Sequence, residues 1–584
     1  MSAVLTAQEP SAKYLVNLQP PLVRHFDLIA QAPGGVARLR ELILTLAVQG
    51  KLVPQDPSDE PASELLKKIR AEKDRLIAEG KIKRDKALAE ITDEEKLFEL
   101  PDKWEWVRLG QVQNFTNGFA FKSGDFSETG VGVVRIGNVH GGEITESGMV
   151  YLPLEAANQI DDQFFINPND LVITMTGDVK LGFNNSGNRY LLNQRVGKIS
   201  PHLVEPKFLV FCLSLVADKK IEEASGSVIP NVSTGEINST LFALPPLAEQ
   251  SRIVTLVEEL MQLCDALETS GQLEAQQHAQ LVSTLLGTLT QSETPEALAD
   301  NWQRIATHFD VLLDRPEAVD ALEQTILQLA VRGLLVPQDP TDEPASVLLQ
   351  KIRTEKDHLI AQGKIKRDKP LPPITVEEKP FELPKAWSFA RISELVEMLN
   401  GYAFKSEWFK PTGIRLLRNL NISHGYVDWS QPACIDTNAA NEFSQFDLKV
   451  GDVVLSLDRP IISTGLKYAV IKQTDLPCLL LQRVARLTPY PIAMSLEFLE
   501  LWLQSDLFVG TIDPGRSNGV PHISTKQVGE LIVGLPPITE QSRIVTRVNE
   551  LRSLCADLRQ QIQAGKNVQG RLSMALIEKV AQCP

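Results

Sequence analysis

The sequence predicts an α+β protein made of two tandem copies of one unit, each combining a mixed α/β domain with long helices. Three observations lead to this fold class. Long segments repeat almost unchanged, apolar residues recur at helical spacing within them, and short strand-like runs fill the segments that do not repeat. The chain has 584 residues, which at roughly 100–200 residues per domain predicts three to five folding units.

The repeat is clearest in two places. Leu46–Lys86 returns without a gap as Leu329–Lys369, at an offset of 283 residues. Further along, Leu244–Leu260 matches Leu535–Leu551 at 13 of 17 positions, at an offset of 291. The chain is therefore two copies of one unit that divide near residue 290.

The change of offset shows that insertions and deletions accumulated only between the conserved segments. The repeated parts are here named the frame, and the divergent parts are named the first and second inserts. The frame consists of an N-terminal helical region, a central helical region and a C-terminal helix. The frame comprises residues 1–103, 244–386 and 535–584, and the inserts are residues 104–243 and 387–534. A frame kept nearly identical predicts two copies of the same partner. Two divergent inserts predict two different ligands of one general type.

Two long helices are predicted in the frame, at about Glu249–Thr290 and Glu540–Val580. In the first, apolar residues from Ile253 to Leu267 alternate at spacings of three and four. That pattern is typical of a coiled-coil seam, and ordinary core packing also produces it. Helices of this length, ~50–60 Å at 1.5 Å per residue, would serve as rigid spacers.

The N-terminal part of the frame predicts two shorter helices, near Ala37–Val48 and about Ala62–Glu79. Ser58 or Asp59 is expected to cap the second of them, because short polar side chains accept hydrogen bonds from the first free amides. The basic run KIKRDK follows in both copies and is interpreted as a solvated linker or as a phosphate or partner contact.

Each insert is predicted to be a mixed α/β domain. Runs such as VGVVRIGNV and GDVVLSLD have the composition of short strands, and Gly- and Asn-rich turns separate them. Helical stretches are expected at Lys207–Ala217 and Ser495–Leu507.

The usual catalytic motifs are absent from the sequence. It contains no phosphate-binding loop, no dinucleotide-binding glycine pattern, no zinc-protease motif, no Cys/His ligand cluster and no nucleophile elbow. LPPL and LPPI lack the Asn and aromatic residue with which amino-methyltransferases hold their target base. We therefore expect a non-catalytic chain that binds no metal.

Composition predicts a cytoplasmic protein. Six cysteines never form a C-x-x-C pair, which suits a reducing compartment. No apolar run reaches the ~18–20 residues of a membrane helix, and the first residues lack the order of a signal peptide. The net charge of −15 by itself gives no indication of nucleic-acid binding.

A family resemblance joins these observations. The segment LPPLAEQSRIVTLVEELMQLCDALE and the block VPQDPSDEPAS, each present in both copies, resemble the specificity subunit of type I restriction-modification enzymes. Within that family the block is typical of the longer-chain members. The resemblance covers essentially the whole chain.

The resemblance implies a pseudo-twofold architecture in which the two long helices pack as an antiparallel coiled coil. The inserts would be target-recognition domains, each reading one half of an asymmetric, bipartite site in double-stranded DNA. The helices would bind two adenine methyltransferase subunits and, through them, the restriction and translocase subunits. S-adenosylmethionine, ATP and Mg²⁺ are then expected only in these partners, whose methyltransferase and endonuclease activities would require this chain.

The charge of the inserts qualifies this expectation, because each contains more Asp and Glu than Lys and Arg. Phosphate contact normally requires a basic surface. We therefore expect the chain to read bases while the methyltransferases supply much of the phosphate contact.

Candidate DNA contacts fall into two groups. Residues shared by both inserts cannot distinguish two half-sites, so they are expected to contact phosphates or support the fold. Unshared polar residues in loops are the candidates for base reading, with Arg and Lys suited to guanine and Asn and Gln to adenine. The shared pairs are Lys122/Lys405, Arg135/Arg418, Asn138/Asn421, Gln194/Gln482 and Arg195/Arg483. The unshared candidates are His140, Lys180, Asn184, Asn185, Arg189 and Asn231 in the first insert, and His424, Arg459, Lys467, Arg516, Asn518 and His522 in the second.

Two other classes of protein remain open from the residues alone. A non-catalytic, pseudo-dimeric scaffold would use the inserts to bind protein rather than DNA, and their acidity favours it slightly. An enzyme with an unfamiliar site has less support, because the inserts share no catalytic group.

Overall fold

The computed structural model describes residues 26–84, 88–140, 142–177, 179–223, 233–292, 294–363, 371–512 and 522–582. The chain forms two compact units. The first comprises Met1–Leu273 and Lys566–Pro584, and the second comprises Glu274–Gly565. Each unit therefore contains the start of one long helix and the end of the other.

The first unit contains the first insert and the N-terminal frame. Its helices are α1 (Gly35–Val48), α2 (Ala62–Ala78), α3 (Leu109–Val112), α4 (Leu154–Ala157), α5 (Pro206–Glu223), α6 (Thr234–Ser239) and the first part of α7 (Leu247–Thr290). Its strands are β1 (Glu105–Arg108), β2 (Gln113–Asn117), β3 (Val131–Val134), β4 (Val139–His140), β5 (Gly142–Ile144), β6 (Val150–Leu152), β7 (Phe165–Ile166), β8 (Leu171–Thr174), β9 (Leu181–Phe183), β10 (Tyr190–Leu192), β11 (Val196–Pro201) and β12 (Leu241–Leu244). They form sheets in the orders β1-β12, β6-β3-β10-β7 and β2-β11-β8-β9-β5-β4.

The second unit repeats this plan. Its helices are α8 (Pro295–Thr307), α9 (Phe309–Leu312), α10 (Pro316–Val331), α11 (Ala345–Ala361), α12 (Ile392–Leu395), α13 (Thr437–Ala440), α14 (Leu496–Gln504), α15 (Asp506–Val509), α16 (Thr525–Glu530) and the first part of α17 (Ile538–Gln582). Its strands are β13 (Ser388–Arg391), β14 (Val396–Asn400), β15 (Ile414–Leu417), β16 (His424–Gly425), β17 (Cys434–Ile435), β18 (Val453–Ser456), β19 (Ile461–Ile462), β20 (Gly465–Leu466), β21 (Tyr468–Val470), β22 (Cys478–Leu480), β23 (Val484–Pro489) and β24 (Ile532–Leu535). The sheet orders are β13-β24, β14-β23-β18-β21-β16, β17-β15-β22 and β19-β20.

The two inserts share a topology although their sequences have diverged. The order β2-β11-β8-β9 corresponds to β14-β23-β18-β21, and each run is antiparallel throughout. The parallel pair β3-β10 corresponds to β15-β22. In each insert the first and last strands pair, with Arg108 opposite Leu241 and Arg391 opposite Ile532. Each insert thus begins and ends at adjacent points, which allows it to diverge without disturbing the frame.

The apolar stripe of α7 lies in the core of the first unit. Ile253, Val257 and Leu260 are fully buried. They belong to one cluster with apolar residues of α1 and α5, which Val580 near the end of α17 also joins. This half of the stripe is therefore core packing against the frame and the insert.

The turn before α2 contacts the long helix instead of capping α2. Pro61 occupies the N-cap position, and no side chain there accepts a capping hydrogen bond. The prediction that Ser58 or Asp59 caps this helix was wrong. The Asp59 side chain is directed at α7, where the Arg252 guanidinium lies 2.6 Å from the carboxylate. Asp342 and Arg543 repeat this pair at 2.6 Å in the second unit.

A buried glutamate joins the same turn to the long helix. Glu249 accepts hydrogen bonds from Gln55 Nε2 at 2.6 Å and from Trp104 Nε1 at 3.0 Å. In the second unit Glu540 accepts from Gln338 Nε2, also at 2.6 Å. Burial is the main cause that raises the pKa of both carboxyl groups. The blocks VPQDP and EQSR are thus repeated together because their side chains bind each other.

The next residue of each long helix binds the insert. Gln250 Oε1 accepts from the backbone amide of Glu205, and Gln541 Oε1 accepts from that of Ser495, both at 2.8 Å. Gln250 and Gln541 are fully buried. The Glu-Gln pair therefore fixes the start of each long helix to the frame on one side and to the insert on the other.

Candidate nucleic-acid interface

The shared Gln-Arg turn of the first insert lies beside the end of strand β8. The backbone amide of Met175 donates to the Arg195 carbonyl at 2.9 Å, and that of Thr174 donates to the Lys180 carbonyl at 2.9 Å. The side chains of Gln194 and Arg195 are exposed, and that of Lys180 is partly buried. Three predicted contact residues are thereby brought to one edge of the sheet.

The second insert builds the same arrangement at the end of β18. Leu457 donates its amide hydrogen to the Arg483 carbonyl at 2.9 Å, and Ser456 donates to the Lys467 carbonyl at 3.0 Å. Gln482 and Arg483 are exposed. Lys467 is therefore the structural counterpart of Lys180, although the sequence comparison had treated the two as unshared.

The loops between these anchor points differ in length, which explains why the correspondence is hidden in the sequence. In the first insert the loop has five residues, Met175–Val179, and in the second it has ten, Leu457–Leu466. The extra residues form the hairpin β19-β20, in which Ile461 lies opposite Leu466.

Asp458, in the longer loop, gathers several polar side chains. Its Oδ2 accepts from Arg483 Nη1 at 2.8 Å and from Asn419 Nδ2 at 3.4 Å. Its Oδ1 lies 2.9 Å from Nδ1 of the exposed His522. The neighbouring Arg459 is exposed. Four predicted residues, Arg459, Lys467, Arg483 and His522, thus cluster around a carboxylate that sequence reasoning had not singled out.

The shared asparagines and arginines before these loops support the fold. Asn138 and Asn421 are buried, and the side-chain oxygen of each accepts from the backbone amide three residues earlier, in Arg135 and Arg418, at 3.1 and 3.3 Å. The guanidinium group of each arginine donates to a backbone carbonyl 13 residues further along. The asparagine side chains are therefore occupied by internal hydrogen bonds and act as turn supports.

The unshared candidates of the first insert occupy different settings. Asn184 is buried and donates to two backbone carbonyls, at 2.8 and 2.9 Å, so it serves the fold rather than a base. Asn185 donates to a neighbouring glutamate at 2.6 Å. Arg189 is exposed and paired with Asp162 at 2.5 Å, and its guanidinium lies 4.4 Å from the Phe165 ring centroid.

Six other candidates form two groups. Lys122, His140 and Lys405 are exposed. Asn231, Arg516 and Asn518 lie outside the described residues.

Apolar side chains on the same loops of the second insert were missed by the sequence analysis. Leu420, Tyr426 and Ile461 are exposed. His424 connects their loops, because its Nδ1 lies 2.9 Å from the Leu466 carbonyl. Exposed apolar groups beside basic ones suit a base-reading surface, where they can contact thymine methyl groups. Composition alone could not have marked these three, since only the fold brings their loops together.

Two further features are absent from the described residues. They contain no group of three or more His, Cys, Asp or Glu side chains placed to hold a metal ion. None of their helices is long and apolar enough to cross a membrane.

The chain is similar to known specificity subunits. Residues 101–276 and 384–565 match the family described as "Type I restriction modification DNA specificity domain". The EcoAI specificity subunit of Escherichia coli is 44% identical over 578 residues, covering 93% of each chain. The EcoEI subunit of Escherichia coli is 31% identical over 595 residues, again with 93% of each chain covered. A chain from a solved structure on assembly and conformational transition of the type I R-M system covers 83% of this chain and 99% of its own, at 18% identity and a TM-score of 0.47.

Proposed function

The chain belongs to the type I restriction-modification DNA specificity family, and from this we propose that its two inserts are target-recognition domains for the two halves of one asymmetric DNA site. The observation that carries the proposal is that the two copies of the frame repeat the same contacts, whereas the two inserts differ. Gln55 Nε2 binds Glu249 and Gln338 Nε2 binds Glu540 at the same 2.6 Å. The inserts keep one topology but change the loop that follows β8 and β18.

The duplicated frame is proposed to hold two methyltransferase subunits, one for each copy. Restriction and translocase subunits would join through them. The chain contributes recognition rather than catalysis, and the S-adenosylmethionine, ATP and Mg²⁺ of the reactions belong to the partners. All of this is proposed to occur in the cytoplasm.

The DNA-facing edge of each insert is proposed to be the one that carries the Gln-Arg turn. It presents Gln194 and Arg195 in the first insert and Gln482 and Arg483 in the second, and these side chains are exposed. Because both inserts share these residues, they are proposed to contact phosphates rather than to distinguish the two half-sites. Lys122 and Lys405 are proposed as phosphate contacts.

The acidic composition of the inserts predicts weak DNA binding by the isolated chain. Phosphate neutralisation supplies much of the affinity of DNA-binding proteins. We expect the methyltransferases to provide it, so nanomolar, sequence-specific binding by the chain alone would contradict this division of labour.

The proposal is tested by co-expressing the chain with the methyltransferase of its own system and mapping methylated adenines by single-molecule sequencing. A bipartite, asymmetric motif with one methylated adenine in each half is expected. A stable complex with the methyltransferase that produces no motif would favour a protein scaffold and refute DNA reading.

A further inference from the structure

The ten-residue loop of the second insert has the features of a rigid reading element. Ser456 Oγ donates to the Asp458 carbonyl at 2.7 Å, and the amide of Lys467 donates to the Pro460 carbonyl at 2.6 Å. Together with the hairpin β19-β20, these bonds fix the backbone from both ends. A binding group held on such a backbone is already in place before the ligand arrives.

Asp458 also fixes the side chains around the loop. It binds Arg483 at 2.8 Å and lies 2.9 Å from His522, which belongs to a segment after α15. The backbones of Asp458 and His522 additionally form an isolated β-bridge. The carboxylate thus ties the loop to the Gln-Arg turn and to the segment that leads to α16.

Arg459 is the residue that this scaffold leaves available. Its side chain is exposed, and it forms no ion pair or hydrogen bond with any residue that the structure describes. Its backbone has φ +47°, a left-handed conformation that non-glycine residues seldom adopt and that is enriched at functional sites. Because the negative charge of Asp458 is already paired with Arg483, Arg459 adds positive charge to this edge of an otherwise acidic insert.

We infer that the loop Leu457–Leu466 is the base-reading element of the second insert, and that Arg459 reads a guanine in the corresponding half-site. This rests on the proposed function and specifies it. An arginine can donate two hydrogen bonds to O6 and N7 of guanine in the major groove, which no other base accepts in the same way. The loop Met175–Val179 of the first insert is half as long and contains no Arg or Lys, so the two half-sites are expected to differ.

The experiment compares the complete complex carrying wild-type chain, Arg459→Ala or Arg459→Lys. Each chain is co-expressed with the methyltransferase, and the methylated fraction is measured at every genomic sequence that differs from the motif by one base pair. Lys410→Ala is the matched control. It removes one exposed positive charge, paired with Asp436 at 3.1 Å, from a position beside strand β17 of the same insert.

The expected result is local. Arg459→Ala should lower discrimination at one guanine-cytosine pair of one half-site by roughly 5- to 150-fold, while the other half-site and the Lys410→Ala motif stay unchanged. Arg459→Lys should not restore full discrimination, because an ammonium group lacks the planar pair of donors. Should Arg459→Ala fail to assemble, Arg459→Asn tests the same loss, since Asn tolerates the left-handed backbone.

Two results would overturn the inference. One is an unchanged motif with Arg459→Ala. The other is uniformly weaker methylation that Arg459→Lys restores, which would identify a phosphate contact. In both cases the wild-type chain still gives a bipartite motif, whereas failure of the proposed function would leave the wild type without one.

Discussion

Glu249 offers the sharpest test of how the frame is held together. Its side chain is fully buried at the start of α7 and accepts hydrogen bonds from Trp104 Nε1 and Gln55 Nε2. Glu249→Ala removes the acceptor and leaves the indole N–H of the buried Trp104 without a partner, whereas the exposed Gln55 keeps a hydrogen bond to the Gly50 carbonyl at 3.3 Å. Glu249→Gln keeps the volume but places an amide donor against one of them.

The magnitude follows from the one buried donor that is left unpaired, the Trp104 indole N–H. A buried, unsatisfied donor costs about 1–3 kcal/mol, so Glu249→Ala should destabilise the first unit by roughly that amount. Glu249→Gln keeps one side-chain oxygen that can accept from Trp104, so it should cost less than Glu249→Ala. The loss of stability caused by Glu249→Gln is reduced further because burial, which raises the pKa of Glu249, disfavours the ionised carboxylate at this site.

The chain supplies its own comparison and control. Glu540→Ala should cost less in the second unit, because Glu540 accepts only from the exposed Gln338 at 2.6 Å, and the Trp387 Nε1 forms no hydrogen bond with the described residues. Glu268→Ala breaks a surface pair with Arg40 at 2.8 Å and should cost only about 0–1 kcal/mol. Differential scanning calorimetry of the full chain measures all three. The reasoning is refuted if Glu249→Ala destabilises no more than Glu268→Ala.

Three other outcomes are expected. Because the pKa of Glu249 is raised in the folded protein, its contribution to stability is complete below the ordinary value of 4.5 and is lost as pH rises through the raised value. Urea denaturation should therefore show that the stability advantage of wild type over Glu249→Gln becomes smaller as pH rises. Asn138→Ala and Asn421→Ala should each lower stability by about 1–3 kcal/mol, as measured by thermal denaturation, yet leave the methylated motif unchanged; an altered motif would assign them a direct role in reading. The thiol of Cys478, whose pKa burial raises to about 12, should resist a disulfide reagent at pH 8 until the protein is unfolded, and rapid labelling of this residue in the native protein would contradict its position in the core.

The internal repeat explains why the architecture could be predicted from one sequence. The long helices were expected at Glu249–Thr290 and Glu540–Val580, and they extend over Leu247–Thr290 and Ile538–Gln582. A period of three and four residues over so many turns leaves little choice of secondary structure. The expected helix Ser495–Leu507, by contrast, is two helices separated at Ser505, whose extended backbone no local pattern had marked.

The contacts of the candidate interface were harder to predict, because they depend on pairings between distant loops. The correspondence of Lys180 with Lys467 is hidden by the unequal loops and is visible only through the backbone bonds that end them. In the sequence, nothing distinguishes Asp458 from other acidic residues, and only the fold shows that Arg483 pairs with it. Asn138 and Asn421 were expected either to contact phosphates or to support the fold, and burial assigns them to the fold. Sequence can name polar loop residues, but burial and hydrogen bonding decide which of them remain available.

The most direct test of the central claim makes the two inserts identical. Residues 387–534 are replaced by residues 104–243, the chain is co-expressed with the methyltransferase, and methylated adenines are mapped across the genome. If each insert reads one half-site, the asymmetric motif should become a palindrome made of the first half-site and its inverted copy. An unchanged asymmetric motif, from a complex that still assembles, would show that the inserts do not determine the sequence that is methylated.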